Sequence, residues 1–338
     1  MGILEDCIDA CKAAPGTVVF PDCLDSRVLT AATRLKEEKV AVPLLVQSPF
    51  MVRSKILSAK ERLSGFTIID HTSKDVLDKN MEAFTRIQNE KGKAITQEQA
   101  EQAMRCSLAA SAMMVRNGDV EVGIAGNLSS TADVLRAGIS ILPRKQKTIS
   151  SFFLMIAPDG KNQYILADCA VVPEPSPDVL ADIAIASAEK AKNLLKEEPR
   201  VAMLSFSTKG SSKHPRAEVI REAVERVRKQ TPEMMVDGEL QLDAAIVPQV
   251  ASLKAPASPI CGNANVLVFP SLEAGNIGYK MLQRMAGFTA LGPFLQGFEG
   301  GWHDLSRGCS ADDLFNVAVL GLCMQRGDVV RPVGESPK

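Results

Sequence analysis

The stretch HDLSRGCSADDLF, residues 303–315, sets an arginine, two serines, a cysteine and a pair of carboxylates ahead of an almost wholly apolar run from Leu314 to Met324. Ser310 is followed three residues later by Asp313, a capping box that opens a buried helix. Asp313 therefore has a complete structural role, and a carboxylate there gains about 0.3–1 kcal/mol from the helix dipole. Capping leaves Arg307 unexplained. A guanidinium just before a helix N-terminus adds positive charge to an already positive end, which costs stability unless an anion sits there. Arg307 calls for an anionic ligand or a carboxylate partner. Cys309 stands where a thiol pKa can fall, which makes it a rival covalent nucleophile.

Three further junctions carry similar chemistry. In AGNLSSTADVLRAG (125–138), Asn127, Ser129, Ser130 and Thr131 offer hydroxyl and amide donors for phosphate, and Arg136 lies on the first turns of the helix that follows. Ser130 and Asp133 also fit a capping box, so a capped helix with a solvated arginine accounts for the segment equally well. In SFSTKGSSKH (205–214), Lys209, Gly210 and small residues could cradle a phosphate. The run does not match the GxxxxGK[ST] loop, and an ordinary turn is the competing reading. In FPSLEAGNIGYK (269–280), Gly275, Asn276 and Gly278 permit close backbone approach, and Lys280 faces either a ligand or solvent.

The elements that must position these groups alternate between strand and helix. TVVF (17–20), VPLLVQ (42–47), FTIID (66–70) and VEVGIAG (120–126) read as strands. Arg27–Glu37 reads as a helix, and Thr96–Gln99 is a capping box opening a helix that ends at Gly118. After the polar interval PRKQK (143–147), TISSFFLMIAP (148–158) and YILADCAVV (164–172) pair across the turn PDGKN. Helix Pro177–Leu195, strand 201–206, helix Arg216–Lys229, strand 264–270 and helix Leu272–Met285 then follow. This rhythm is α/β with largely parallel sheets. Asp237, Glu239 and Asp243 could tempt a divalent cation but read more simply as a turn and a helix start.

A chain of 338 residues exceeds what one core usually serves, so two domains are expected, with a boundary near 143–147. Net charge −1 gives no electrostatic case for nucleic acid or an anionic membrane. Aromatic residues at 4% argue against base stacking as the main function. The N-terminus lacks a charged start before a continuous apolar core, and no run reaches the roughly 18–20 apolar residues that cross a bilayer. Eight scattered cysteines without CxxC, and three histidines without HxxxH, make a zinc site or disulfide framework a poor expectation. Ile3–Ala10 is short and amphipathic and reads as a packed first helix.

HDLSRGCSADD, GNLSSTADVLR (126–136), VAMLSFSTKGS (201–211), DGELQLDAAIVP (237–248), KAPASP (254–259) and FPSLEAGNIGYK together resemble the phosphate acetyltransferases, in order and spacing, from Val19 to Cys309 and beyond. HDLSRGCS and SSTADVLRAG look closest to the ethanolamine-utilisation branch. The resemblance implies reversible transfer of acetyl between coenzyme A and phosphate, with CoA, acetyl-CoA, acetyl phosphate and phosphate as substrates and neither resident cofactor nor metal. It implies two α/β domains with an interdomain cleft, in the fold of isocitrate and isopropylmalate dehydrogenases. Residues 1–146 plus 299–338 would form the first domain and 147–298 the second. It further implies a homodimer and a cytoplasmic location, within a bacterial microcompartment if the ethanolamine branch holds. The family's active-site serine and arginine fall on Ser306 and Arg307, its candidate base on Asp313, its nearby cysteine on Cys309 and its second arginine on Arg136. Two positions depart. Gln88 stands where some members carry an arginine before the turn at Lys91–Gly92, with Arg86 close by, and Gly160 stands where some carry a cysteine. A phosphate butyryltransferase differs only in its acyl pocket. More remote alternatives are a metal- and nicotinamide-dependent hydroxyacid dehydrogenase of the same fold and a non-catalytic CoA- or acyl-phosphate-binding scaffold.

Overall fold

The computed structural model describes residues 2–58 and 66–327. The chain divides into two compact units, Met1–Lys145 with Phe298–Lys338, and Gln146–Gly297. Both are mixtures of helices and strands around a central sheet. Among the described residues no helix is long and apolar enough to cross a membrane.

The first unit runs α1 (Ile3–Ala13), β1 (Gly16–Phe20), α2 (Ser26–Glu37), β2 (Ala41–Val46), α3 (Pro49–Ser58), β3 (Thr67–Ile69), α4 (Lys74–Glu90), α5 (Gln97–Met104), α6 (Ser107–Asn117), β4 (Val122–Ala125) and α7 (Thr131–Ile141). Its last two elements, β11 (Gly301–Asp304) and α13 (Ala311–Arg326), come from the C-terminal segment. The five strands lie in the order β11-β4-β1-β2-β3, and every pairing is parallel. Buried parallel strands need apolar side chains on both faces, and the strand segments VVF, LLV and VGIA supply them. Side chains alternate across β11. Trp302 is fully buried and donates to the Val134 carbonyl of α7 at 3.0 Å, while His303 turns to the other face, against Gly321 of α13.

Helix α13 is buried along most of its length and packs against α1 and α2. Cys11 of α1 and Cys323 of α13 bring their sulfurs to 3.7 Å. At the far end Arg326 pairs with Glu121, and this ties the close of α13 to the start of β4. The helix expected from Thr96 to Gly118 is in fact two, broken at Arg105–Cys106. The break frees the Arg105 carbonyl, which lies 3.0 Å from Nε2 of the buried His71. Thr96 caps the first helix, and Gly118, at φ +75°, ends the second.

The second unit runs β5 (Ser150–Ile156), β6 (Gln163–Ala167), α8 (Pro177–Leu195), β7 (Arg200–Leu204), α9 (Pro215–Gln230), β8 (Met235–Leu240), α10 (Leu242–Ile246), α11 (Pro248–Lys254), β9 (Val266–Val268), α12 (Leu272–Met285) and β10 (Thr289–Gln296). Its sheet has the order β10-β5-β6-β9-β7-β8. The β5–β6 and β5–β10 pairs are antiparallel and the remaining pairs parallel, so this sheet is mixed. Asp237 and Glu239 do not begin a turn and helix as the sequence suggests. They lie inside β8 and are fully buried, because cationic side chains from the neighbouring loop and helix neutralise them there.

Candidate active site

Neighbouring parallel strands β1, β4 and β11 each deliver the chain to a helix start, so their following loops gather at one edge of the sheet. The loop after β4 is organised by Asp22, from the loop after β1. One Asp22 oxygen accepts the amides of Gly126, Leu128 and Ser129 at 3.0–3.1 Å, and the other accepts the Ser129 hydroxyl at 2.6 Å. Gly126 sits at φ +96°, and a Cβ there would fall 2.1 Å from Asp304 Oδ1, so only glycine fits. Asn127 is buried and gives its side-chain amide to Asp25 at 3.2 Å. Thr131 donates to Asp304 at 2.6 Å. Ser130 caps α7 through the amide and carboxylate of Asp133. The side chains of Asn127, Ser129, Ser130 and Thr131, expected as phosphate donors, thus each meet a protein carboxylate, of Asp25, Asp22, Asp133 and Asp304 respectively.

The loop after β11 carries Ser306, Arg307 and Cys309. It folds into a tight turn, with the Cys309 amide on the Ser306 carbonyl at 2.9 Å and the Gly308 amide on Ser306 Oγ at 3.2 Å. Ser310 then caps α13 in a complete capping box. Its amide and hydroxyl meet Asp313 Oδ2 at 2.8 and 2.9 Å, and the Asp313 amide returns to Ser310 Oγ at 3.1 Å. Ser306 and Arg307 are exposed, and among the described residues no carboxylate pairs with the Arg307 guanidinium. Asp312, next to Asp313, is engaged by Arg34 of α2 at 3.0 Å. Arg136 is exposed on α7 and paired with Asp133 one turn back. The structure thus brings Ser306, Arg307, Cys309 and Asp313 onto one loop and helix start.

Burial raises the Cys309 thiol to about 11, and the neighbouring Arg27 only partly offsets this. A thiol held protonated is a poor nucleophile, which weakens the covalent alternative. Asp304 closes β11 beneath these loops. Its burial, with the Asp22 charge adding to it, raises its carboxyl to about 6 despite the Thr131 hydrogen bond. Arg27 is the member that sequence reasoning missed. It fastens to Asp25 by Nε at 3.1 Å and Nη2 at 2.6 Å, and it donates to backbone carbonyls of both other loops. The signal was present, because Arg27 stands in the first turn of a helix, against the dipole as Arg307 does.

In the second unit the expected donors are largely committed. Lys209 pairs with buried Asp237 and also meets the Gly238 carbonyl, and the Gly210 amide donates to buried Glu239 at 2.9 Å. Burial would raise the Glu239 carboxyl, but Gly210, Ser207 and Arg221 outweigh it and hold the group below its ordinary value. Asn276 gives its amide to the Cys169 carbonyl at 3.1 Å, which holds α12 against the end of β6. Lys280 is exposed beside the ring of Tyr279. Lys209, Gly210 and Asn276 thus each bond to protein groups, and Lys280 is exposed.

The departure at Gln88 has a structural account. Its amide donates to the Ser140 carbonyl at 2.9 Å, and Lys91 caps the Ile139 and Ser140 carbonyls, so both close the C-terminus of α7. Among the described residues no group of three or more His, Cys, Asp or Glu side chains is placed to hold a metal ion.

Residues 2–322 match the family model described as phosphate acetyl/butaryl transferase. The chain is 43% identical over 305 residues to the phosphate acetyltransferase of Bacillus subtilis (strain 168), spanning 90% of this chain and 93% of that one. It is similar in structure to a phosphotransacetylase from Streptococcus pyogenes, at TM-score 0.89 and 38% identity, covering 96% of this chain and 98% of that one. It is similar also to the EutD phosphotransacetylase from Staphylococcus aureus, at TM-score 0.85, 37% identity and the same coverages. On these matches, spanning nearly its whole length, the chain belongs to the phosphate acetyl/butaryl transferase family.

Proposed function

We propose that this chain transfers acetyl reversibly between coenzyme A and phosphate by direct thiolate attack in a ternary complex. The acetyltransferase names of its relatives support acetyl over butyryl as the acyl group. The observation that carries the site is Arg307, an exposed guanidinium on a tight turn ahead of the buried helix α13.

A free thiol with pKa near 8.5 is only about 3% thiolate at pH 7, so complete deprotonation gains roughly 2 kcal/mol. Holding sulfur against the acetyl carbon in attack geometry contributes about 7–11 kcal/mol. Orientation therefore outweighs base catalysis. Asp313 accepts the thiol proton, directly or through water. Its two hydrogen bonds from Ser310 fall on Oδ2 and fix the carboxylate's direction. Sulfur bonds to the carbonyl carbon, the carbon–oxygen bond to phosphate breaks, and phosphate leaves with the electron pair. Arg307 holds the phosphoryl oxygens and the developing oxyanion; donors of this kind are worth roughly 3–4 kcal/mol. Ser306 orients the carbonyl, and Arg136 adds positive charge for phosphate. Because Asn127, Ser129 and Thr131 are engaged by Asp25, Asp22 and Asp304, they support this reading as shapers of the loop rather than as ligands.

The same reading takes the working form as a cytoplasmic homodimer. Similarity to the protein titled EutD supports the ethanolamine-utilisation branch and, through it, a microcompartment setting. Light scattering on the purified chain is expected to give about twice 36.3 kDa. The reaction is tested by thiol release from acetyl-CoA in the presence of phosphate. Arg307→Ala is expected to lower kcat about 100-fold or more while moving the melting temperature little, since the side chain is exposed. Asp313→Asn keeps the cap shape, and its rate is expected to fall most below pH 8. Near-normal turnover in Arg307→Ala would end the assignment, and an unchanged pH profile in Asp313→Asn would leave that residue a cap alone.

A further inference from the structure

The geometry points to Arg27 as the positioning residue of the Ser306–Cys309 turn, a clasp that aims Ser306 and Arg307 without touching either substrate. The inference rests on the acetyl-transfer reading above. A guanidinium has five N–H donors, and here all five point at the protein. The Nε donor lies 3.1 Å from each Asp25 oxygen. Nη2 serves Asp25 Oδ2 at 2.6 Å and the Asn127 carbonyl at 3.0 Å. Nη1 serves the Arg307 and Cys309 carbonyls, each at 2.7 Å. No donor is left for a phosphate, although the residue type and its place at a helix start would invite one.

The atoms it joins are far apart in sequence. Arg27 opens α2, Asn127 lies in the loop after β4, and the two remaining carbonyls belong to the turn after β11. One planar group thus fixes three loops that the sheet alone brings only near one another. Its two grips on the last turn fall on the carbonyl of Arg307 itself and on that of Cys309, two residues further on. Fixing both carbonyls fixes the backbone from which the Arg307 side chain projects. Asp25 holds the fork in plane. Burial would raise the Asp25 carboxyl, but Arg27 and Asn127 outweigh burial and keep it ionised and gripping.

Lysine cannot imitate this. It supplies a compact charge without the fork, so it can still neutralise Asp25 yet cannot reach three loops at once. The decisive variant is therefore Arg27→Lys, with Arg27→Ala beside it, each assayed for acetyl phosphate formation from acetyl-CoA and phosphate. Arg27→Lys is expected to stay folded and to lose about 30–100-fold in kcat, with KM for CoA and phosphate within about 3-fold, since a misaimed group costs rate before it costs binding. Added guanidinium or methylguanidinium is expected to restore part of the Arg27→Ala rate. A large rise in KM with kcat kept would make Arg27 a substrate ligand and overturn the clasp, and unchanged kinetics would overturn it equally. Wild-type protein that forms no acetyl phosphate would instead sink the acetyl-transfer reading, a result separable from either.

Discussion

Asp304 and Asp22 are buried carboxylates with different sets of partners. Asp22 is wrapped by three amides and a hydroxyl, whereas Asp304 has a single hydroxyl, from Thr131, and a second oxygen with no partner among the described residues. Burial therefore lifts Asp304 from 3.8 to about 6. A carboxyl raised in the folded state binds its proton more tightly there than in the unfolded chain, so it reduces stability as pH rises from about 4 to about 6. The shift corresponds to about 3 kcal/mol lost by neutral pH. Asp304→Asn keeps an acceptor for Thr131 and removes the charge. The variant is expected to melt a few degrees higher at pH 7.5 and to lose the wild-type decline between pH 4 and 6. A lower melting temperature at pH 7.5 would show that ionised Asp304 is favourably held. Legibility at this scale divides by neighbourhood. Arg307 could be singled out locally, because the Ser310–Asp313 cap accounts for Asp313 and leaves the guanidinium unexplained, whereas Ser306 and the base role of Asp313 entered only through the family resemblance. Asp22 and Asp304 could not be singled out, because their partners lie about 100 to 170 positions away, and the helix-start position of Arg27 gave no hint of its grips on loops 100 and 280 positions away.

At the scale of elements, the loop after β4 shows how a helix start can resemble a phosphate site and be filled from within. Its amides converge on one point, as an anion site requires, and Asp22 is the anion. Removing that carboxylate should expose the cost. Asp22→Ala leaves three amides and the Ser129 hydroxyl without an acceptor, and it is expected to lose about 2–4 kcal/mol of unfolding free energy in urea. Asp22→Asn, which retains one acceptor oxygen, is expected to lose less. Equal, small losses in both variants would mean that water replaces the carboxylate and that the loop does not depend on it. Helices opened by a serine N-cap were legible here: α8 and α12 run as expected, Pro177–Leu195 and Leu272–Met285. Strand β8 was not. Its sequence, MVDGEL, carries two acids, and only tertiary pairing with Lys209, Arg228 and Arg221 makes them tolerable inside a sheet.

The whole molecule has an asymmetry with a measurable consequence. The second unit is one continuous stretch of chain, Gln146–Gly297, whereas the first is assembled from two. Within the second unit the first and last strands are antiparallel neighbours, with Ser150 opposite Gln296, so its ends lie together. A unit whose ends meet and whose strands pair internally carries everything its sheet needs, which is the geometry that tolerates insertion into another fold. The first unit lacks that independence. Without residues 298–338 it loses β11, the edge strand paired to β4, and α13, the helix packed against α1 and α2. Periodicity could not reveal this return of the chain, since a strand of four residues and a helix look the same whichever sheet they join. A fragment of residues 146–297 is expected to show a helix-and-strand circular dichroism spectrum and a single cooperative melt. A fragment of residues 1–145 is expected to melt without cooperativity, because α13 buries nine of its sixteen residues and their contact surfaces on β1, β4 and α2 would face water. Adding residues 298–327 back through a flexible linker should restore cooperativity. A sharp transition in 1–145 alone would show instead that the C-terminal segment adds the Ser306–Asp313 loop to a core already complete.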